Sequence, residues 1–227
     1  MKSSDALGPL SPAQRSQVEA LLLALRDDDE APTTVRDPAR AVDVHLGDSL
    51  VALELDVVRA ATRIADLGSG AGFPGLALAV ALPGAEVALV ESQRRKCEFL
   101  ERALAAARIA NARVVCSRVE EWREGFDVHD VVLARALAAQ AVVLEYAAPL
   151  LREGGTLVDW RGRRSGEEER SAAGAAAELG LRLIEIRHVE PYAGAREHHL
   201  HLYAKVAPTP PRFPRRPGIA RKRPLGC

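Results

Sequence analysis

The stretch Arg63-Ile64-Ala65-Asp66-Leu67-Gly68-Ser69-Gly70-Ala71-Gly72-Phe73-Pro74-Gly75 decides how the rest of the chain is read. Ile64 to Leu67 is a short apolar run of the kind that forms a buried parallel strand. It breaks into a glycine-rich turn and resumes as the helical run Leu76 to Leu82. Without a Cβ, each glycine lets backbone approach whatever lies above the strand's carboxyl end, and in open α/β sheets that crevice holds nucleotide-like ligands. About nineteen residues beyond Gly72, the apolar run Val87 to Val90 ends in Glu91. An acid there can accept hydrogen bonds from ribose hydroxyls. The pattern predicts a nucleoside site built on Asp66, Gly68, Gly70, Gly72 and Glu91. It leaves the nucleoside open, because Gly70-x-Gly72-x-x-Gly75 satisfies the dinucleotide fingerprint and Gly68-x-Gly70-x-Gly72 the S-adenosylmethionine pattern.

Working outward, Ala112 to Cys116 and Asp130 to Ala134 read as a third and a fourth strand. Helix Gln140 to Leu151 leads through a Gly154-Gly155 turn into a fifth, Thr156 to Trp160. The run Leu150-Leu151-Arg152-Glu153-Gly154-Gly155-Thr156-Leu157 is common in methyltransferase sheets and tips the cofactor toward S-adenosylmethionine. Ser165 caps a helix that ends at Gly180. Leu183 to Val189 and His198 to Val206 then alternate as an antiparallel terminal pair. Upstream, Ser11-Pro12 opens a helix to about Arg26 whose stripe is Val18, Leu21, Leu22 and Leu25, and a second helical pattern follows Arg36-Asp37-Pro38. The fold class expected is α/β: a Rossmann-like, class I S-adenosylmethionine-dependent methyltransferase sheet, mostly parallel with an antiparallel terminal strand, plus N-terminal helices. Its parts are an N-terminal helical cap over residues 1–59, a methyltransferase domain over 60–207 and a basic, proline-rich tail over 208–227.

The chain has 227 residues, 48% of them hydrophobic but only 4% aromatic, so the core must rest on Ala, Leu and Val. Formal net charge is zero yet unevenly spread: residues 208–227 carry +6 and no acid, which leaves −6 on the rest. An acidic body with a basic, proline-rich tail predicts an extended arm that meets a polyanion. The acidic run Asp27 to Glu30 reads as a solvated loop. Cys97, Cys116 and Cys227 lie far apart, with neither metal spacing nor a disulfide framework, as in a reducing compartment. No signal core and no run of membrane-spanning length is present, so a cytoplasmic protein with no membrane partner is expected.

Candidate site residues follow from position. Arg135, just beyond the fourth strand, lies at the mouth of the cofactor crevice, and Val119-Glu120, after the third strand, is placed for the adenine edge. Arg94, Arg95 and Lys96 open a helix, where cations are mildly unfavourable, which suggests that they face an anion. Trp160-Arg161-Gly162-Arg163-Arg164 sets arginines and an aromatic at the same sheet edge, a combination that holds phosphates and stacks on bases. His198, His199 and His201 lack a completing acid or cysteine cluster and read as surface residues; no metal is expected. The chemistry narrows by elimination. There is no Asp/Asn-Pro-Pro-aromatic loop for an exocyclic amine, and no thiolate at the mouth for pyrimidine carbon five. Guanine N7 carries a lone pair and no proton, so it suits a site without an evident base.

Taken together, Asp66-Leu67-Gly68-Ser69-Gly70-Ala71-Gly72-Phe73-Pro74-Gly75, Glu91-Ser92 with Arg95-Lys96 and Phe99-Leu100, Ser117-Arg118-Val119-Glu120-Glu121 and Ala134-Arg135-Ala136 resemble the RsmG family (glucose-inhibited division protein B). Val35-Arg36-Asp37-Pro38, His45-Leu46-Gly47-Asp48-Ser49-Leu50 and the tail from Pro208 to Leu225 are similar to that family's flanking signatures. The resemblance implies methyl transfer from S-adenosylmethionine to N7 of one guanosine in small-subunit (16S) ribosomal RNA. The RNA or an assembly intermediate is the expected partner, and a monomer the expected form. The resemblance also implies that Gly68 and Phe73 line the cofactor pocket, that Val119 and Glu120 meet its adenosine part, and that Arg135 lies at the catalytic site. The expected RNA contacts are Arg36, His45, Arg95, Lys96, Arg161, Arg212, Arg215 and Arg216. Three departures bear on the RNA side more than on the cofactor side: the family's Trp-Asn and Asn-Leu-Thr segment is replaced by Arg26 to Pro32, Ala134-Arg135-Ala136 stands for a usual Ser-Arg-Ala, and His198-His199-Leu200 for an Arg-His-Leu. In addition, Arg161 stands for a usual Lys and Glu91 for a usual Asp. An NAD-dependent oxidoreductase and a non-catalytic RNA-binding relative remain as alternatives.

Overall fold

A computed structural model describes residues 10–226. Strands β1 (Arg63–Leu67), β2 (Glu86–Glu91), β3 (Ala112–Cys116), β4 (His129–Arg135), β5 (Leu151–Arg161), β6 (Leu181–Val189) and β7 (His198–Lys205) form one sheet in the order β3-β2-β1-β4-β5-β7-β6. The first five are parallel; β7 runs antiparallel to both β5 and β6. β1 and β2 are buried at every position after the first. That is what a parallel strand covered on both faces requires, and why those runs read as uninterrupted apolar stretches. Register aligns Leu67 with Val90 and Ala134, and Glu91 with Cys116. The glycine turn, the strand-end acid and Arg135 therefore share one edge.

Helices α1 (Pro12–Asp27), α2 (Pro38–Ala41), α3 (Asp48–Leu50), α4 (Asp56–Arg59), α5 (Gly75–Ala81) and α6 (Arg94–Ala107) precede α7 (Gln140–Ala147), α8 (Gly166–Leu179) and the short α9 (Ile219–Lys222). One apolar cluster joins α1, the N-terminal turns, α5 and α6 to one face of the sheet; the other joins α7, α8 and the tail to the opposite face. At α1, Ser11 Oγ accepts from the Gln14 amide at 3.3 Å while Gln14 Oε1 accepts from the Ser11 amide at 2.8 Å. This reciprocal cap is worth about 1 kcal/mol. Gln14 Nε2 also donates to Val80 O at 2.8 Å, so the cap ties α1 to α5. Val18, Leu21 and Leu25 are buried, as the stripe predicts. Ser165 and Gly180 likewise bound α8.

Four expectations are corrected. Gly154-Gly155 does not turn into a strand; β5 already begins at Leu151, and its register against β4 shifts between His129 and Val131. A Cβ on Gly155 would lie 2.8 Å from His129 O, so the pair permits a close backbone approach inside the strand. The acidic run is not simply solvated, because Arg102 of α6 binds Asp28 at 2.8 Å and Glu30 at 3.0 Å. Cys97 and Cys116 form a disulfide, with Cα atoms 5.8 Å apart. Their separation along the chain concealed this, yet parallel pairing sets Cys116 beside Glu91 and α6 returns Cys97 to that point. Cys227 lies outside the described residues.

The tail is not an extended arm. Phe213 is 5% exposed and Ala220 1%, both in the cluster with α7 and α8. Arg215 grips Glu145 of α7 through Nε–Oε1 at 2.8 Å and Nη2–Oε2 at 2.5 Å, and Arg212 reaches Glu178 of α8 at 2.9 Å. The basic tail's polyanion is in part the acidic body of its own chain. Among the described residues, no helix is long and apolar enough to cross a membrane.

Candidate cofactor and acceptor site

The glycine turn is laid across the end of β2, with the amides of Gly68 and Ser69 both donating to Val90 O, at 2.8 and 3.1 Å. Beneath it Asp66, 1% exposed, accepts from the Gly75 amide at 3.1 Å and so ties the turn to the start of α5. Burial pushes its carboxyl up to about 6, against the pull of Ser69, Gly75 and Arg135. Gly68 has φ +65°, and a Cβ there would lie 2.5 Å from Leu137 Cδ1, so only glycine keeps this wall thin.

Glu91 is the best-defined polar group at the edge. Its Oε1 accepts from the amides of Ser92 and Gln93, each at 2.8 Å, and Oε2 from the amide of Gly70 at 3.2 Å. Three backbone donors thus fix the carboxylate before any ligand arrives, which is how a binding group is made precise. It lines a hollow of about 470 Å³ together with Gly68, Lys96, Val119, Glu120 and Leu137. That volume lies within the range of roughly 300–1,000 Å³ of small-molecule sites. The shape and chemistry fit an adenosine-bearing cofactor: a glycine wall without side chain, a fixed acid for ribose, and an acid beyond it for a base. A second hollow of about 470 Å³ lies between Arg63, Glu86, Arg113 and His129. It sits at the amino ends of the strands, the wrong end for a ligand in a parallel sheet.

Of the residues expected at the cofactor, the structure brings Gly68, Glu91, Val119 and Glu120 to one hollow, and Lys96 joins them. Asp66, Gly70 and Gly72 support the turn and are not in its wall. Phe73 does not line it either. It is 5% exposed and stacks on His45, ring centroids 4.9 Å apart.

Above the ends of β4 and β5 the N-terminal segment closes the site. A π-helical turn over Val42–Gly47 carries His45 inward. His45 Nε2 meets Thr33 Oγ1 at 3.1 Å, Nδ1 is buried with no partner among the described residues, and burial, then Arg135, push its pKa down to about 4. His45, expected at the RNA, is instead buried at 7% exposure. Arg135, the last residue of β4, donates through Nη1 to Asp48 Oδ2 at 2.7 Å and to Val44 O at 3.0 Å. Asp48 also meets His198 Nδ1 at 3.1 Å, and its carbonyl accepts from Trp160 Nε1 at 2.8 Å. Trp160 is thereby held in the protein and does not offer its ring to a base.

Several expected RNA contacts are already engaged. Arg36 spends its guanidinium on the carbonyls of Arg26, Asp28 and Asp29, and Arg161 on Asp159 and Ala138 O. Arg212 and Arg215 are paired as described. Arg95 and Arg216 are exposed and make no ion pair among the described residues. Nor are the three histidines all superficial. His201 is 2% exposed, bonded to Gln140 at 2.8 Å, and burial pushes its pKa down to about 4. Sequence reasoning missed Asp48 as a site residue, although a lone acid in the quoted His45 to Leu50 segment was a signal. It also missed Tyr146 and Arg221, which reach the hollow from afar in sequence.

Comparison with known proteins agrees with this architecture. A family model described as rRNA small subunit methyltransferase G matches residues 22–198. A protein named Ribosomal RNA small subunit methyltransferase G from Synechococcus sp. (strain JA-3-3Ab) is 39% identical, with 86% of this chain and 78% of that one covered. One of the same name from Chloroflexus aggregans is 38% identical, covering 96% of this chain and 92% of the other. Among solved structures, Aeropyrum pernix fibrillarin with natively bound S-adenosyl-L-methionine shares the fold at TM-score 0.55 and 20% identity, over 70% of this chain and 74% of that one. A 16S rRNA (adenine(1408)-N(1))-methyltransferase from Catenulisporales acidiphilia does so at TM-score 0.55 and 18% identity, over 68% and 89%. With its sheet order, its strand-end acid and these matches in agreement, the chain belongs to the rRNA small subunit methyltransferase G family.

Proposed function

We propose that this protein transfers a methyl group from S-adenosylmethionine to N7 of a guanosine in small-subunit ribosomal RNA. The observation that carries the reading is Glu91: a buried carboxylate, held by three amides, beside a glycine wall at the carboxyl edge of a methyltransferase-type sheet. The dinucleotide spacing is accounted for otherwise, since Gly75 serves the turn through Asp66.

When bound, S-adenosylmethionine supplies a methyl group activated on a sulfonium. Glu91 holds the ribose, and Glu120 and Val119 flank the base. N7 needs no deprotonation, so the chain's task is alignment of the acceptor for an in-line displacement. Arg135 is the group for this. One of its nitrogens is fixed on Asp48 and Val44 O, which leaves the others to hydrogen-bond the acceptor purine's oxygen. The exposed Arg95 and Arg216, with Lys96 at the rim, contact phosphate, a salt-sensitive contribution. We take the working form as a cytoplasmic monomer acting on the RNA or on an assembly intermediate.

The test is incubation of the protein with methyl-labelled cofactor and either naked small-subunit RNA or subunits from cells lacking the gene. Label should enter the RNA in at least one arm; no label in either overturns the reading.

A further inference from the structure

We infer that the folded C-terminal tail forms the outer wall of the cofactor's adenine subsite, with Arg221 and the Gly218 amide as its positioning groups. The inference rests on the proposed use of S-adenosylmethionine and adds to it a function for residues 208–226.

Three observations carry it. First, the tail is fixed. Phe213 and Ala220 are buried against α7 and α8, Arg215 binds Glu145, and Arg215 Nη2 also donates to Arg223 O at 2.8 Å, closing the segment on itself. Second, the fixed tail ends on the hollow. Arg221 lies in the same wall as Glu91, Val119, Glu120 and Tyr146, and its Nη2 donates to Leu137 O at 3.1 Å. Leu137 is the residue whose side chain abuts Gly68, so through its carbonyl the tail braces this wall of the hollow from outside. Third, the tail orients the acid beyond the ribose. The Gly218 amide donates to Glu120 Oε1 at 3.1 Å, and Glu120 is only 8% exposed. Its Oε2 makes no hydrogen bond among the described residues, leaving an acceptor that an exocyclic amine complements.

The arrangement separates two ends of the ligand. Glu91 stands at the ribose; among the described residues the tail's hydrogen bonds to this hollow go to Glu120 and to Leu137 O, and none goes to the backbone of the glycine turn. The tail should therefore act on any ligand that carries the adenosine group, with or without the homocysteine carboxylate.

Calorimetry with the full chain tests this, using S-adenosylhomocysteine and methylthioadenosine as probes. Arg221→Ala removes a wall group that is exposed on its outer side, and thermal melting checks that the fold persists. It should weaken both ligands by a similar factor, about 3- to 10-fold, the usual weight of one or two hydrogen bonds. Lys222→Ala, at the exposed neighbour of Arg221, should change neither. Binding of S-adenosylhomocysteine should also slow tryptic cleavage between residues 208 and 226 of the unaltered protein. Equal affinities for Arg221→Ala, a loss confined to S-adenosylhomocysteine, or unaltered cleavage would each overturn the inference. If the unaltered protein binds neither probe, the cofactor assignment fails instead.

Discussion

Replacing Asp48 by alanine should unfasten the N-terminal segment from the sheet. The carboxylate faces Arg135 at 2.7 Å and His198 at 3.1 Å, and the side chains of Asp48 and Arg135 are 9% and 16% exposed. Asp48→Ala leaves a mostly buried guanidinium whose one remaining hydrogen-bond partner among the described residues is Val44 O. Removing one member of a buried pair costs about 3–5 kcal/mol; the residual access of Arg135 to water argues for ~3 kcal/mol. For a chain of this size that corresponds to a fall in Tm of roughly 6–12 °C. The double variant Asp48→Ala/Arg135→Met removes the stranded charge and should recover about 1–3 kcal/mol relative to the single one. Urea unfolding followed by circular dichroism measures both. A loss under ~1 kcal/mol for Asp48→Ala would place the pair among exposed ion pairs of little weight. A double variant no more stable than the single would show that the cost is not electrostatic. Either result refutes the anchoring argument.

Other expectations are equally direct. Glu91→Gln weakens charge-assisted hydrogen bonds to ribose and should lower S-adenosylhomocysteine affinity about 10- to 100-fold by calorimetry; a change under threefold would remove Glu91 from the ligand. Phe213→Ala empties a buried aromatic site beneath the tail and should cost ~3–5 kcal/mol in urea unfolding, whereas a solvated tail would give almost no change. His201 titrates near 4 in the folded protein against an ordinary value of 6.5. Above pH 6.5 it is neutral in both states, and below it only the unfolded chain takes the proton. Its contribution to stability is thus complete above pH 6.5 and lost as pH falls toward 4. Between pH 7 and 5 the protein should lose about 2 kcal/mol more than His201→Gln does; parallel losses would contradict this.

Local signals carried most of the fold. Apolar runs without alternation marked the buried parallel strands, Ser11 and Ser165 marked helix starts, and the glycines with Glu91 marked the ligand edge, because each depends on neighbours in sequence. What was illegible depends on distant partners. Arg135 looked free at the mouth because Asp48 lies far upstream, and His45 looked available to RNA because nothing local shows Phe73 stacking on it. The tail's composition, proline and arginine, matches that of a solvated arm. Glu145, Glu178 and Glu120 turn it inward, and no spacing rule links them to Arg215, Arg212 and Gly218. The disulfide was hidden in the same way, since only the β2–β3 register brings Cys116 toward α6.

The central claim is that the pocket at Glu91 delivers a methyl group to a purine nitrogen that bears no proton. The direct measurement is to methylate small-subunit ribosomal RNA with the purified protein and S-adenosylmethionine, then treat the RNA with borohydride and aniline, which cleave at N7-methylguanosine. The account predicts one new scission, absent without cofactor and, with Glu91→Gln protein at cofactor below saturation, weakened in step with its lower affinity. Methylated RNA that resists cleavage, with the label on an exocyclic amine or a ring carbon, would contradict it.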